Sequence, residues 1–245
     1  MRLGIIFIIA LLTFGCKKSE DRNCIKSIGD NASKEILVDD FEFLYMGPHL
    51  KYKLIQDVVN KVVVTGGGNL INGIDVHVEN QKLVIENSNE CAFLRSYEEV
   101  VEVEIHFVDM INIEFEGTHE VICPDTLLLT DFTLLIRDGA GAFDLKLNAN
   151  SLNLLISHGW GNYVVGGFVN YANFQISSNG YGNSNGLHVL NELVVISNSA
   201  GLVEVNADQC NLLAEINSSG SIYYKGTPAM IQFNNYGTGE LVDKN

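Results

Sequence analysis

Isoleucine recurs at Ile136, Ile156, Ile176, Ile196 and Ile216, each 20 residues after the last, although residues 126–245 hold only seven isoleucines. The same grammar surrounds each one: an alternating apolar run, a small polar corner, then a second alternating run. Phe132-x-Leu134-x-Ile136 leads to Gly139-Ala140-Gly141 and Phe143-x-Leu145-x-Leu147, and Leu152-x-Leu154-x-Ile156 to Gly159-Trp160-Gly161 and Tyr163-x-Val165. Ala172-x-Phe174-x-Ile176 with Gly180-Tyr181-Gly182, Val194-x-Ile196 with Ser199-Ala200-Gly201, Leu212-x-Ala214-x-Ile216 with Ser219-Gly220, and Ile231-x-Phe233 with Asn235-Tyr236-Gly237 continue the series. Alternation at period two predicts strands with one buried face, and Gly, Asn and Ser at the corners suit sharp bends. Two or three short strands per 20 residues, stacked at about 4.8 Å, predict an all-β parallel β-helix whose matched isoleucines pile up coil upon coil. A β-sandwich is the competing architecture, but its hairpins would not impose a constant repeat.

The first half is less regular. It still reads as strands at Lys61–Val64, Ile74–Val78, Leu83–Ile85 and Val101–Phe107, and Ile111–Gly117 looks like the first regular coil. No Pro- or Gly-rich linker divides the halves, so residues 35–245 are expected to form one continuous domain.

The N-terminus reads as an address. Met1-Arg2-Leu3 precedes an apolar run from Gly4 to Leu12. That run is too short for a bilayer span of about 20 residues but suits a signal peptide. Its end, Leu12-Thr13-Phe14-Gly15-Cys16, resembles a bacterial lipoprotein signal. Thr13 stands where such signals usually carry a branched apolar residue, with Leu12 one step early. The resemblance implies a signal peptide over 1–15, lipidation of Cys16, and a polar tether over 16–34. Two or more acyl chains would hold the protein on a membrane.

Composition narrows the partners. Thirty acidic against fifteen basic side chains give a net charge of −15, which argues against nucleic acid and against attraction to anionic headgroups. Cys24, Cys91, Cys123 and Cys210 match no close-paired zinc spacing. Cys210 lies in phase with core positions and reads as a buried thiol, whereas Cys24 with Cys91 is an open pairing.

The corners Gly139-Ala140-Gly141 and Ser199-Ala200-Gly201, and the close Ser219-Gly220-Ser221-Ile222-Tyr223-Tyr224-Lys225-Gly226-Thr227-Pro228, resemble the head GIN domain family of adhesin-type lipoproteins. Val62–Val64, Asn69-Leu70-Ile71, Leu83-Val84-Ile85 and Asn89–Tyr97 add to the resemblance, which spans about residues 35–243. It implies a right-handed parallel β-helix, a place in the cell envelope on the outer membrane, and no enzymatic activity.

Candidate chemistry is sparse. Gly66-Gly67-Gly68 follows a strand, yet it fits no phosphate-loop spacing and a strand is expected after it. His106 and His119, with Glu102, Glu104, Glu114, Glu116 and Glu120, read as a solvated strand face and not as a metal site. Arg137-Asp138 beside Asp144 is the nearest approach to a catalytic group. No catalytic residue, metal or cofactor is expected. The sharper candidate is an aromatic strip of Trp160, Tyr163, Tyr181 and Tyr236 on which sugar rings could stack, with Asn162, Asn179, Asn183 and Asn185 beside it.

The expected function is therefore a non-catalytic, lipid-anchored envelope module that contacts glycans or a cell surface. A structural or self-associating module using the same flank is the alternative, and a polysaccharide-active enzyme is the remote one.

Overall fold

A computed structural model of the protein describes residues 27–89 and 100–245. The described residues are nearly all β, with 65% of them in strands, wound into a solenoid of about seven turns whose coils lie about 20 residues apart. It opens with β1 (Asn31–Leu37), β2 (Phe43–Met46), β3 (Lys51–Gln56) and β4 (Lys61–Gly67), followed by one helical turn, α1 (Gly68–Ile71). Then come β5 (Ile74–Glu79), β6 (Lys82–Asn87), β7 (Glu102–Phe107), β8 (Asn112–Phe115), β9 (Val121–Leu128) and β10 (Asp131–Arg137). The long strands β11 (Ala142–Ser157), β12 (Asn162–Ser178) and β13 (Tyr181–Ser199) each bend to run along two faces. β14 (Val203–Asn206), β15 (Asn211–Ile216), β16 (Ile222–Lys225), β17 (Met230–Asn235) and β18 (Leu241–Asp243) complete the stack. No helix among the described residues is long and apolar enough to cross a membrane.

Two ladders form the walls. One runs β5, β6, β2, β8, β10, then the second halves of β11, β12 and β13, then β15 and β17. The other runs β1, β4, β7, β3, β9, then the first halves of β11, β12 and β13, then β14, β16 and β18. Every pairing from β2 and β3 onward is parallel, as stacked coils require. Among the described residues antiparallel pairs occur only at the N-terminal end: β5 on β6, β4 on β7 and β1 on β4. There the chain between β3 and β8 folds back over the first coil, and α1 buries Leu70 and Ile71 against it. The irregular first half is thus a cap, which explains its loss of period.

Three sequence expectations need correction. β1 begins at Asn31, inside the segment expected to be tether through residue 34. Its side chains are mostly exposed, so a polar edge strand held by backbone pairing left no apolar alternation to read. Gly66-Gly67-Gly68 leads into α1, not directly into a strand. The third concerns the isoleucine column. Ile136 pairs with Ile156 and Ile156 with Ile176, all inward, but Ile176 then pairs with Ser197, which pairs with Ile216. Ile196 pairs with Gln175 and Glu215 on the outer surface. A coil of 21 residues followed by one of 19 restores the total, so the even spacing conceals one outward side chain. Ile111–Gly117 does join the stack, with Phe115 paired to Ile136, but β2 and β3 already form a parallel coil before it.

Phe115 anchors the capped end of the core, edge-on to Tyr52 at 6.2 Å and to Phe143 at 5.1 Å between ring centres. Cys210 is buried and unpaired, as its phase predicted. At one corner the coils approach so closely that only glycine fits. A Cβ on Gly139 would strike the carbonyl of Gly117, one on Gly159 that of Gly139, one on Gly201 that of Gly180, and one on Gly220 that of Gly201. Cys16, Cys24, Cys91 and most of Asn89–Tyr97 lie outside the described residues.

Candidate functional site

The charged groups are mutually committed. Arg137, at the end of β10, reaches Glu114 at 2.9 Å and bonds Glu116, both on the preceding coil, while Lys82 takes Glu114 at 2.9 Å. The Tyr45 hydroxyl donates to Glu116 at 2.9 Å, and the Lys82 ammonium sits 5.2 Å from the Tyr45 ring centre. Burial pushes the Glu116 carboxyl up, but hydrogen bonds from Arg137 and Tyr45 outweigh it and hold the group below its ordinary range. Burial and then Glu116 push the Tyr45 phenol up to about 12. Arg137 therefore serves these glutamates and is not grouped with Asp144, which lines a shallow groove with Lys146 and Cys123. His106 bonds Asp57 at 2.9 Å, and Glu104 bonds Lys53 at 2.8 Å. Among the described residues no group of three or more His, Cys, Asp or Glu side chains is placed to hold a metal ion.

The four aromatic residues expected to form one strip are separated. Tyr163 is 1% exposed, packed inward against Phe174 at 5.6 Å, and its hydroxyl has no partner among the described residues. Its position pairs with Phe143 and Gly182 in an inward column, because Gly161, not Trp160, begins the alternation on that coil. Trp160, Tyr181 and Tyr236 are exposed. Tyr181 stacks on Asn162 in the ladder, so it lies two positions from Trp160, not above it. Tyr236 follows Asn235 of β17, three coils beyond Tyr181 and about 14 Å along the axis.

A different surface is built at the opposite corner. In β12 and β13 the outward position Gly166 pairs with Gly186, and two residues on Phe168 pairs with His188. On the coil before, Lys146 pairs with Gly166 and Asn148 with Phe168. The Phe168 ring is 56% exposed and stacks on the His188 ring at 5.0 Å between centres and 16° between planes. Tyr171 and Leu190 stand exposed where β12 and β13 bend beyond them. Gly166 and Gly186 differ from the corner glycines. A Cβ on Gly166 would meet nothing nearer than 3.4 Å and one on Gly186 nothing nearer than 3.5 Å, and neither backbone is left-handed. The fold therefore does not demand glycine at either place. Their shared effect is a bare strip of backbone beside two stacked rings, where something flat can approach closely.

Phe168 was missed in the sequence because Gly167 leaves an inward position without an apolar side chain. Gly167, at φ of 114°, still pairs in register with Leu147 and Leu187, so the backbone alternation runs unbroken from Tyr163 to Val169 and turns Phe168 out. The signal available was one aromatic at an otherwise polar phase, flanked by glycines on two consecutive coils.

The fold is shared with solved proteins. A putative adhesin from Bacteroides fragilis superposes with a TM-score of 0.78 at 19% identity, over 88% of this chain and 97% of that one. A putative lipid binding protein from Parabacteroides distasonis gives 0.63 at 19% identity, over 87% and 97%. A putative adhesin from the same species gives 0.60 at 21% identity, over 88% and 98%. No curated protein matches the chain. The sequence model of the family described as putative auto-transporter adhesin, head GIN domain, matches residues 40–228, and with the corner glycines, the closing coils and the solenoid all in place, this chain belongs to that family.

Proposed function

We propose that this protein is a non-catalytic binding module of the cell envelope, anchored by lipid at Cys16, that holds a sugar ring of a neutral glycan on the shelf formed by Gly166, Gly186, Phe168 and His188. The observation that carries this reading is the glycine pair. Neither backbone strain nor packing accounts for it, whereas close approach of a ligand does. The apolar face of a pyranose stacks on an exposed aromatic ring, and its hydroxyls need donors and acceptors at the rim, which Asn148 and Lys146 offer. A net charge of −15 favours neutral over anionic polysaccharides. Adhesin descriptions among the fold's relatives support a surface-contact role. Trp160 and Tyr181 at the other corner offer a second, weaker contact.

Affinity electrophoresis through gels containing neutral polysaccharides tests the reading. The protein should be retarded by at least one of them, and Phe168→Ala should abolish the retardation with melting unchanged. Free migration through every neutral polysaccharide, or retardation by acidic ones alone, would overturn it.

A further inference from the structure

The two ends of the solenoid are finished differently. At the N-terminal end, antiparallel strands and α1 cover the first coil. At the other end, among the described residues, β17 pairs only with β15 and β18 only with β16, leaving one backbone edge of each strand free of them. The inward columns show what this leaves uncovered. Leu152, Ala172, Leu193 and Leu212 are at most 3% exposed, but their counterpart Ile231 is 44% exposed. Leu154, Phe174, Val195 and Ala214 are likewise buried, but Phe233 is 39% exposed. Met230 beside them is 48% exposed. Solenoids normally place a polar cap here, and edge strands normally carry charge, proline or a bulge to block pairing. β17, Met-Ile-Gln-Phe-Asn-Asn, carries none of these.

We infer that this open end docks a second copy of the same chain, the end coils pairing antiparallel about a two-fold axis normal to the sheets. That axis keeps inward side chains inward in both copies, so Ile231 and Phe233 of each close the core of the other. Charge favours an identical partner at this place. Two chains of −15 repel over most of their surface, but β17 is uncharged. β18 is flanked by Glu240 at one end and Lys244 at the other, so antiparallel pairing of two copies sets each acid beside the other copy's base. Asp243, the one charge within the two end strands, is the ladder partner of Tyr224. The chain's own leader is a poor substitute. The described N-terminus packs on α1 through Ile28, about ten strand spacings or roughly 48 Å from the open end. The residues just before it include Lys17, Lys18, Glu20, Asp21, Arg22 and Lys26.

The test uses the full chain in the cells that make it, with a photo-crosslinking residue in place of Gln232, which faces outward on β17. Irradiation should give an adduct of twice the mass of the uncrosslinked chain from the same cells. Ile231→Lys and Phe233→Glu should each reduce it about tenfold while melting of the purified variants stays unchanged. Absence of the doubled adduct, its persistence in both variants, or capture of a different protein overturns the inference. The same variants should keep glycan retardation through Phe168, so failure here is separable from failure of the proposed function.

Discussion

Ser197 pairs with Ile176 on one side and Ile216 on the other, so a fully buried hydroxyl stands between two isoleucines of an inward column. Among the described residues its oxygen has no hydrogen-bond partner. A buried unsatisfied hydroxyl costs about 1–3 kcal/mol of desolvation. Ser197→Ala should therefore raise stability by about 1 kcal/mol in urea unfolding. A loss of stability would mean that the hydroxyl bonds a neighbour after all.

Tyr163 presents the same test with a larger side chain. Its phenol is fully buried, held well above its ordinary titration range by burial, and unpaired. Tyr163→Phe should leave stability unchanged or raise it by about 1 kcal/mol, and should leave glycan retardation untouched. Tyr163→Ala should cost about 3–5 kcal/mol, as deletion of a packed aromatic does. A surface role would reverse both results.

These two residues also show what the sequence could and could not reveal. The solenoid was legible because inward positions repeat coil after coil, and four of the five matched isoleucines do share one inward column, with Ser197 between the third and the last. The 21- and 19-residue coils were not, because their deviations cancel between Ile176 and Ile216. Tyr163 was misread because a corner can turn on either side of its glycine, and that single position decides which side chains face out. The capping strands were hidden for a different reason. Their pairing is antiparallel and folds back between β3 and β8, so it follows no repeat. The Phe168 shelf combines residues from two coils about 20 positions apart, and its flatness becomes visible only when the space around each glycine is known.

Adjacent glycines on β12 should respond oppositely to one added methyl group. At Gly167 the Cβ would overlap the Leu147 carbonyl, and a φ of 114° strains any other residue. Gly167→Ala should destabilise by about 2–4 kcal/mol, with Gly166→Ala within about 0.5 kcal/mol of the parent. Equal losses at both sites would show that Gly166 is held by packing, leaving the shelf unexplained.

Acid should weaken the fold partly through Glu116. Its folded carboxyl titrates below its ordinary value, so its contribution is complete above the unfolded value and is lost as pH falls towards the folded one. Melting followed from pH 6 downward should therefore drop below about pH 4.5, and Glu116→Gln should flatten part of that drop. An identical acid limb in parent and variant would contradict the Arg137–Glu116–Tyr45 network.

The most direct test of where this protein makes contact sets Gly186→Val against Trp160→Ala in the same polysaccharide gels. Valine suits a strand and its Cβ has room at that position, so both variants should melt like the parent. The shelf predicts that Gly186→Val weakens retention about tenfold while Trp160→Ala leaves it nearly intact. Retention lost in Trp160→Ala and kept in Gly186→Val would place the contact at the other corner and contradict the account.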